Sequence, residues 1–149
     1  MESLYQATVL QQVLSRVDQL TPSSQPIWGK MNVVQMMEHC ARTLDFSTGK
    51  TKPKRAFMGL LLGSFFRSMY SNDKPWGKNS PTSPQYRVTD ELSFNETKTR
   101  LVNLISEFSH GGPEKCTTHP SPFFGKLTPE EHGKGQYKHL DHHLQQFGV

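Results

Sequence analysis

Apolar positions recur at three- and four-residue steps along most of the chain, and no run reads convincingly as the two-residue alternation of a strand. From about Ser3 to Leu20, the residues Leu4, Ala7, Leu10, Val13, Leu14 and Val17 form one apolar stripe, which the segment Pro22 to Pro26 ends. A second helix is predicted over Val33 to Phe46, with Asn32 at its N-cap, Val33, Met37, Cys40, Ala41 and Leu44 on one face, and Gly49 and Pro53 closing it. Ser93 and Glu96 form a capping box that opens a third helix, which runs through Leu101, Leu104, Ile105 and Phe108 until Gly111, Gly112 and Pro113. Thr128, Pro129 and Glu131 repeat the device for a fourth, ending at Gly148. The pattern predicts an all-α four-helix bundle forming one domain over residues 1–149.

Two further segments need separate treatment. Ala56 to Tyr70 carries Phe57, Met58, Leu60, Leu61, Leu62, Phe65, Phe66 and Met69, bracketed by Lys54, Arg55 and Arg67. A membrane span needs about 20 apolar residues, and this run is shorter. A buried helical piece is expected, with an interfacial, lipid-touching helix as the alternative. Between Asn72 and Thr89 the composition shifts to Pro, Gly, Asn and Ser, which bury little and predict an extended connection. A loop of that length is either a cover over a pocket or packed decoration.

Composition narrows the class. The chain has 149 residues, 34% apolar and 20% charged, with a mean hydropathy of −0.63, which suits a water-soluble globule with long polar connections. Cys40 and Cys116 lie in unlike contexts and predict no disulfide. The Met-Glu-Ser start shows no secretory pattern, so a cytoplasmic location and no membrane partner are expected. The net charge of +4 invites a nucleic-acid reading. However, the only dense basic run, Lys50, Lys52, Lys54 and Arg55, has no interleaved aromatic residues and is expected to be a solvated loop, so nucleic acid is not the expected partner.

The seven histidines offer the candidate chemistry. Four lie on the fourth helix. At 100° per residue with Leu140 as zero, Phe147, Leu144 and Tyr137 mark a core stripe, while His143 falls at about −60° and His139 at about −100°, along one edge of it. His132, at about −80°, shares that edge two turns away, and His142, at about −160°, is expected to face solvent. An H-x-x-x-H pair can hold one metal ion, but it can equally be a polar pair or a proton-transfer site. A third ligand would come from elsewhere, and His39 and His119 are the candidates. His39 lies opposite the obvious stripe of its helix, although Met36, Thr43 and Phe46 could form a second buried edge there.

The segment Trp28-Gly29-Lys30-Met31-Asn32-Val33-Val34-Gln35-Met36-Met37-Glu38-His39 resembles the second helix of DinB/YfiT-like proteins, in which a Q-M-L-x-H type motif delivers a metal histidine. The segment His119 to Leu127, followed by Tyr137 to Gly148, resembles the C-terminal signature of an uncharacterised branch of that superfamily. Pro81-Thr82-Ser83-Pro84 and the helix start Phe94-Asn95-Glu96 fit it as well. The resemblance implies a metal centre formed by His39, His139 and His143, open positions for water or substrate, and homodimers; His132, from its place on the same helix edge, and His119 are the candidate pocket residues. It also implies an aromatic and a larger apolar residue where this chain has Gly133 and Gly135. Each glycine costs about 1 kcal/mol inside a helix, which predicts a loose start to the fourth helix.

The resemblance extends to thiol-dependent transferases and isomerases that use bacillithiol or mycothiol. The leading expectation is therefore a metal-dependent thiol transferase acting on a small molecule, with a divalent ion (zinc, nickel, iron or manganese) and a low-molecular-weight thiol as cofactors. Metal-assisted hydrolysis and a non-catalytic metal-binding or dimerising bundle are the alternatives. No Asp or Glu stands out as a general base, and Glu38 is expected to be an exposed helix residue. No Ser-His-Asp arrangement, phosphate loop or paired cysteine ligands can be read. Trp28, Trp76, Phe123 and Phe124 are expected to be core or loop anchors rather than a ligand cage.

Overall fold

The computed structural model describes residues 2–80 and 82–149, so Pro81 of the Pro-Thr-Ser-Pro stretch lies outside the described residues. Among the described residues five α-helices pack into a bundle: α1 (Ala7–Asp18), α2 (Val33–Ser47), α3 (Phe57–Ser71), α4 (Phe94–Gly111) and α5 (Pro129–Gln146). Among the described residues there is no strand, only one isolated bridge between Ser121 and Gly125. α2 lies along α4, α3 lies along α5, and α1 touches both α4 and α5. Their apolar stripes meet in one core that includes Leu10, Val13, Met37, Leu44, Ile105 and Leu140.

The helix starts follow from local hydrogen bonding. Asn32 accepts from the Gln35 amide at 2.8 Å while the Gln35 side chain accepts from the Asn32 amide at 3.0 Å. Thr128 and Glu131 close the same reciprocal box at α5. At α4 only half of the expected box forms: Ser93 accepts from the Glu96 amide, and no return bond is made. α1 starts at Ala7, later than the stripe predicts, because Ser3 to Gln6 form a turn whose Leu4 amide donates to the Gly133 carbonyl at 3.1 Å.

α5 is buried on nearly every side. Besides Leu140 and Leu144, it buries Gln136, Lys138 and Gln146, because α2 covers one flank and α3 another. Its glycines are sites of close approach, not loose turns. A Cβ on Gly133 would lie 2.4 Å from the Ser3 hydroxyl, and one on Gly135 would lie 1.9 Å from the Tyr70 ring. The helix runs unbroken through both.

α3 departs most from expectation. The helix forms, but it is not a buried piece: Phe57 is 74% exposed and Phe65 is 64% exposed, with Leu60, Leu61 and Leu62 exposed beside them. Its inward residues are Gly59, Gly63 and Tyr70. Gly59 lies so close to the Pro122–Phe123 backbone that a Cβ would come 2.3 Å from the Pro122 carbonyl. Arg67 pairs with both Glu131 carboxylate oxygens at 2.7 Å. Lys138, itself buried, donates to the Met69 and Asn72 carbonyls and to the Asn72 side chain, which occupies acceptors at the C-terminus of α3.

Candidate metal centre

His39 on α2 and His139 and His143 on α5 converge inside the bundle, each only 6–7% exposed, with ligand atoms all within 4.8 Å of one another. The three helical positions have simple origins. His139 and His143 are one turn apart on the buried edge of α5. His39 faces them because α2 does have a second buried edge, with Met36 and Phe46 buried and Thr43 partly buried along it. The single obvious stripe on α2 points to α4 instead.

Hydrogen bonding sets the tautomer of each ring. His39 Nδ1 lies 3.0 Å from the Tyr86 carbonyl, which can only accept, so Nδ1 carries the proton. Thr43 has one hydroxyl proton and two acceptors for it, the Cys40 carbonyl at 2.8 Å and Gln136 Oε1 at 3.3 Å. With the proton on either, its lone pair can accept from the Nδ1–H of His139 at 3.2 Å. Gln146 donates through Nε2 to the Trp28 carbonyl at 2.7 Å, so its Oε1 accepts from His143 Nδ1–H at 2.8 Å. This last arrangement needs Gly29, with φ of 84°, because a Cβ there would come 2.4 Å from Gln146 Nε2.

With all three Nδ1 positions protonated, each Nε2 presents a lone pair. His39 Nε2 and His139 Nε2 face each other at 2.9 Å. Two neutral rings in these tautomers have no proton to place between them, so their converging lone pairs could hold a cation. A proton is a poor choice for that cation. Burial and the neighbouring imidazoles hold His139 well below the ordinary histidine range, and burial, aided by His39, pushes His143 down to about 3. Burial also lowers His39 against the opposing bond to Tyr86. A ligand set that is neutral, convergent and oriented by its Nδ1 partners fits a divalent ion of the borderline-soft kind, with bond lengths of about 2.0–2.1 Å to imidazole nitrogen in the case of zinc.

The surroundings correct several expectations. His142 does not face open solvent: it is half-buried between Trp28 and Trp76, with ring centroids 5.9 and 5.7 Å away. Trp76 also packs on His139 at 5.6 Å while its Nε1–H donates to the Met69 carbonyl, so this residue anchors its loop and bounds the cluster at once. The connection after α3 is tied down by the His39–Tyr86 bond and by Arg42, which donates to the Arg87 carbonyl and pairs with Asp90. Glu38 is buried, not exposed, and pairs with Arg42 at 3.0 Å and Arg100 at 3.2 Å.

His132 and His119 stand apart from the three. His132 is 1% exposed and packs on Phe46. Its Nδ1 meets the Ser47 hydroxyl at 3.2 Å, and that oxygen accepts from Gln136 Nε2 at 2.7 Å. Through Gln136 and Thr43 this chain of hydrogen bonds reaches His139. His119 Nε2 donates to the Pro53 carbonyl at 3.1 Å, in the loop between α4 and α5. Sequence reasoning missed the roles of Gln146 and the Tyr86 carbonyl. Gln146 was within reach of it, three residues after His143 and therefore on the same helix face.

No curated protein and no solved structure matches the chain. A family model does, over residues 2–148, and its description is that of a protein of unknown function, DUF1569. That span covers nearly the whole bundle and all three converging histidines, so the chain belongs to the DUF1569 family.

Proposed function

We propose that this protein binds one divalent metal ion through the Nε2 atoms of His39, His139 and His143, as a DinB/YfiT-like bundle, and works as a metal-dependent thiol transferase on a small molecule. The observation that carries the metal reading is the set of three Nδ1–H groups committed to Tyr86, Thr43 and Gln146, which leaves three buried lone pairs converging. An ion held by three neutral imidazoles keeps its full positive charge and acidifies a thiol or water that joins it.

The thiol reading is favoured over hydrolysis by the partners of the cluster. The atoms bonded to the three rings are a carbonyl, a hydroxyl and an amide oxygen, none of which is a general base. The nearby acids Glu38 and Asp45 are engaged by Arg42 and Arg100. A thiol needs little more than a lowered pKa to become a nucleophile, whereas a hydrolase gains from a base that positions water. Trp76 and Trp28, beside His139 and His142, would shield such a centre from bulk water.

Elemental analysis of protein purified without added metal or a His-tag tests the ligand set. We expect close to one equivalent of a divalent ion, with His39→Ala removing most of it. A content near zero that His39→Ala leaves unchanged would retire the metal centre. Cobalt-substituted protein titrated with bacillithiol then tests the thiol step. A new thiolate charge-transfer band is expected, and an unchanged spectrum with bound cobalt would leave a metal protein of another kind.

A further inference from the structure

The α3 helix is built inside out. Gly59 and Gly63 face the body of the protein, against the backbone of Pro122 to Phe124, while Phe57, Leu60, Leu61, Leu62 and Phe65 face away from it. A helix recruited only to cover the core would place its large side chains inward. Here the small residues bring the helix close, Phe66 and Tyr70 pack on Phe123 and Phe124, and the other bulky residues lie outside, on the order of 600 Å² of apolar surface if each of the five is taken at roughly 200 Å² when fully exposed. The largest patch on an ordinary monomer is roughly 300–600 Å². Burying this face against a suitable medium is the most economical use of such a surface.

The width of the face indicates which medium. At 100° per residue, the exposed apolar positions from Leu60 through Phe57, Leu61 and Phe65 to Leu62 span about 200°, with the small hydroxyls of Ser64 and Ser68 among them. One packed helix covers a stripe of about 100°, so a symmetric pairing of two such ridges would leave both flanks wet. A fluid apolar medium covers a convex ridge without needing a matching groove. Charge points the same way. From residue 46 to residue 72 there is no Asp or Glu; Lys50 and Arg67 in that stretch pair with Glu107 and Glu131, which leaves Lys52, Lys54 and Arg55, and the chain carries +4 overall. Lys52, Lys54 and Arg55 are exposed immediately before the first turn of α3. An apolar ridge with an adjoining basic segment matches an anionic lipid surface in both its components.

We infer that α3 is a membrane-surface helix that seats the protein on anionic lipid, with its apolar ridge in the acyl boundary and Lys52 and Lys54 among the head groups. It lies on the surface and does not cross it. No helix of the described residues is long and apolar enough to span a membrane, and at about 1.5 Å per residue α3 falls short of the hydrocarbon core. This seat is independent of the histidine cluster.

Flotation of the full chain with vesicles tests it. Binding is expected to vesicles of phosphatidylcholine mixed with phosphatidylglycerol, weaker to phosphatidylcholine alone, and reduced by salt. Leu61→Asp with Phe65→Asp, and separately Lys52→Glu with Lys54→Glu, should each lower the bound fraction at least tenfold. All four side chains point away from the core, so circular dichroism should show unchanged helix content. A Phe65→Trp variant keeps the ridge apolar and should shift its emission to the blue on mixed vesicles. Two results overturn the proposal. One is a chain that binds neither vesicle and sediments as a dimer split by Leu61→Asp with Phe65→Asp, which would mean that a second copy covers the ridge. The other is a monomer that binds neither vesicle.

Discussion

Tyr70 occupies the volume that a side chain on Gly135 would need: a Cβ there would come 1.9 Å from the ring's Cε1. The ring is held in place by stacking on Phe124 at 4.3 Å, so it cannot easily retreat. Helix propensity alone says that Gly135→Ala should stabilise by about 1 kcal/mol. Overpacking at this contact should cost about 1–3 kcal/mol and reverse that sign. Denaturant titration of Gly135→Ala is expected to show a lower midpoint, with Tyr70→Ala relieving part of the loss in a double-mutant cycle. A stabilised Gly135→Ala protein would contradict the packing of α3 on α5.

Lys138 makes a second link between these helices. Its ammonium donates to the Met69 carbonyl at 2.6 Å and to the Asn72 carbonyl and side chain at 2.9 Å. Lys138→Met keeps the stem but removes all three donors, leaving the carbonyls at the end of α3 without their partner. Hydrogen exchange should then quicken in Phe57 to Ser71 while α2 and α4 stay protected. Equal exchange in α3 before and after the change would show that Arg67 and Glu131 suffice to hold it.

The fold was legible where one apolar stripe met one core, as for α1, α2 and α4. The H-x-x-x-H edge of α5 was legible too, because His139 and His143 flank the Leu140 stripe. Periodicity failed where a helix has more than one buried side. α5 is covered on further sides, so His142, which its angle places at the surface, is half-buried between Trp28 and Trp76, and Lys138, opposite the Leu140 stripe, is interior. α3 failed in the opposite sense, since apolar content says that a face prefers to leave water and not which neighbour it leaves water for. Gly133 and Gly135 read as weak points because helix propensity carries no information about Ser3 and Tyr70, which arrive from distant parts of the chain.

Acid should weaken the metal-free protein. Burial lowers His132 to about 4, His143 to about 3 and His139 well below 6.5, so all three are neutral in the folded state near neutral pH. The unfolded chain, with ordinary imidazoles near 6.5, binds more protons below that pH, and stability therefore falls as pH drops from about 6.5 towards 4 and is flat above about 7. Each such group contributes a slope of up to about 1.4 kcal/mol per pH unit in that window. Urea midpoints measured across the range check this, and a midpoint that rises on acidification would contradict the buried neutral state. Metal binding at pH 6.5 should likewise release well under the roughly 1.5 protons expected from three ordinary imidazoles, as read by a pH indicator during titration.

Thr43 should control metal affinity without touching the ion. Its hydroxyl proton is taken by the Cys40 carbonyl or Gln136, and the remaining lone pair receives His139 Nδ1–H, which keeps Nε2 bare and aims the ring at His39. Thr43→Val is close in shape and removes that acceptor, so the Nδ1 proton is left buried without a partner and the ring is free to take its other tautomer. Loss of such a partner typically weakens a metal site about 10–100-fold. Competition with a chelator should show that weakening for Thr43→Val, near-native affinity for Thr43→Ser, and a similar loss for Gln146→Leu, which strips His143 of its acceptor. The Ser variant separates orientation from packing, because it restores the oxygen while leaving the methyl group out. If Thr43→Ser weakens binding as much as Thr43→Val, the methyl group and not the hydrogen bond is what positions His139.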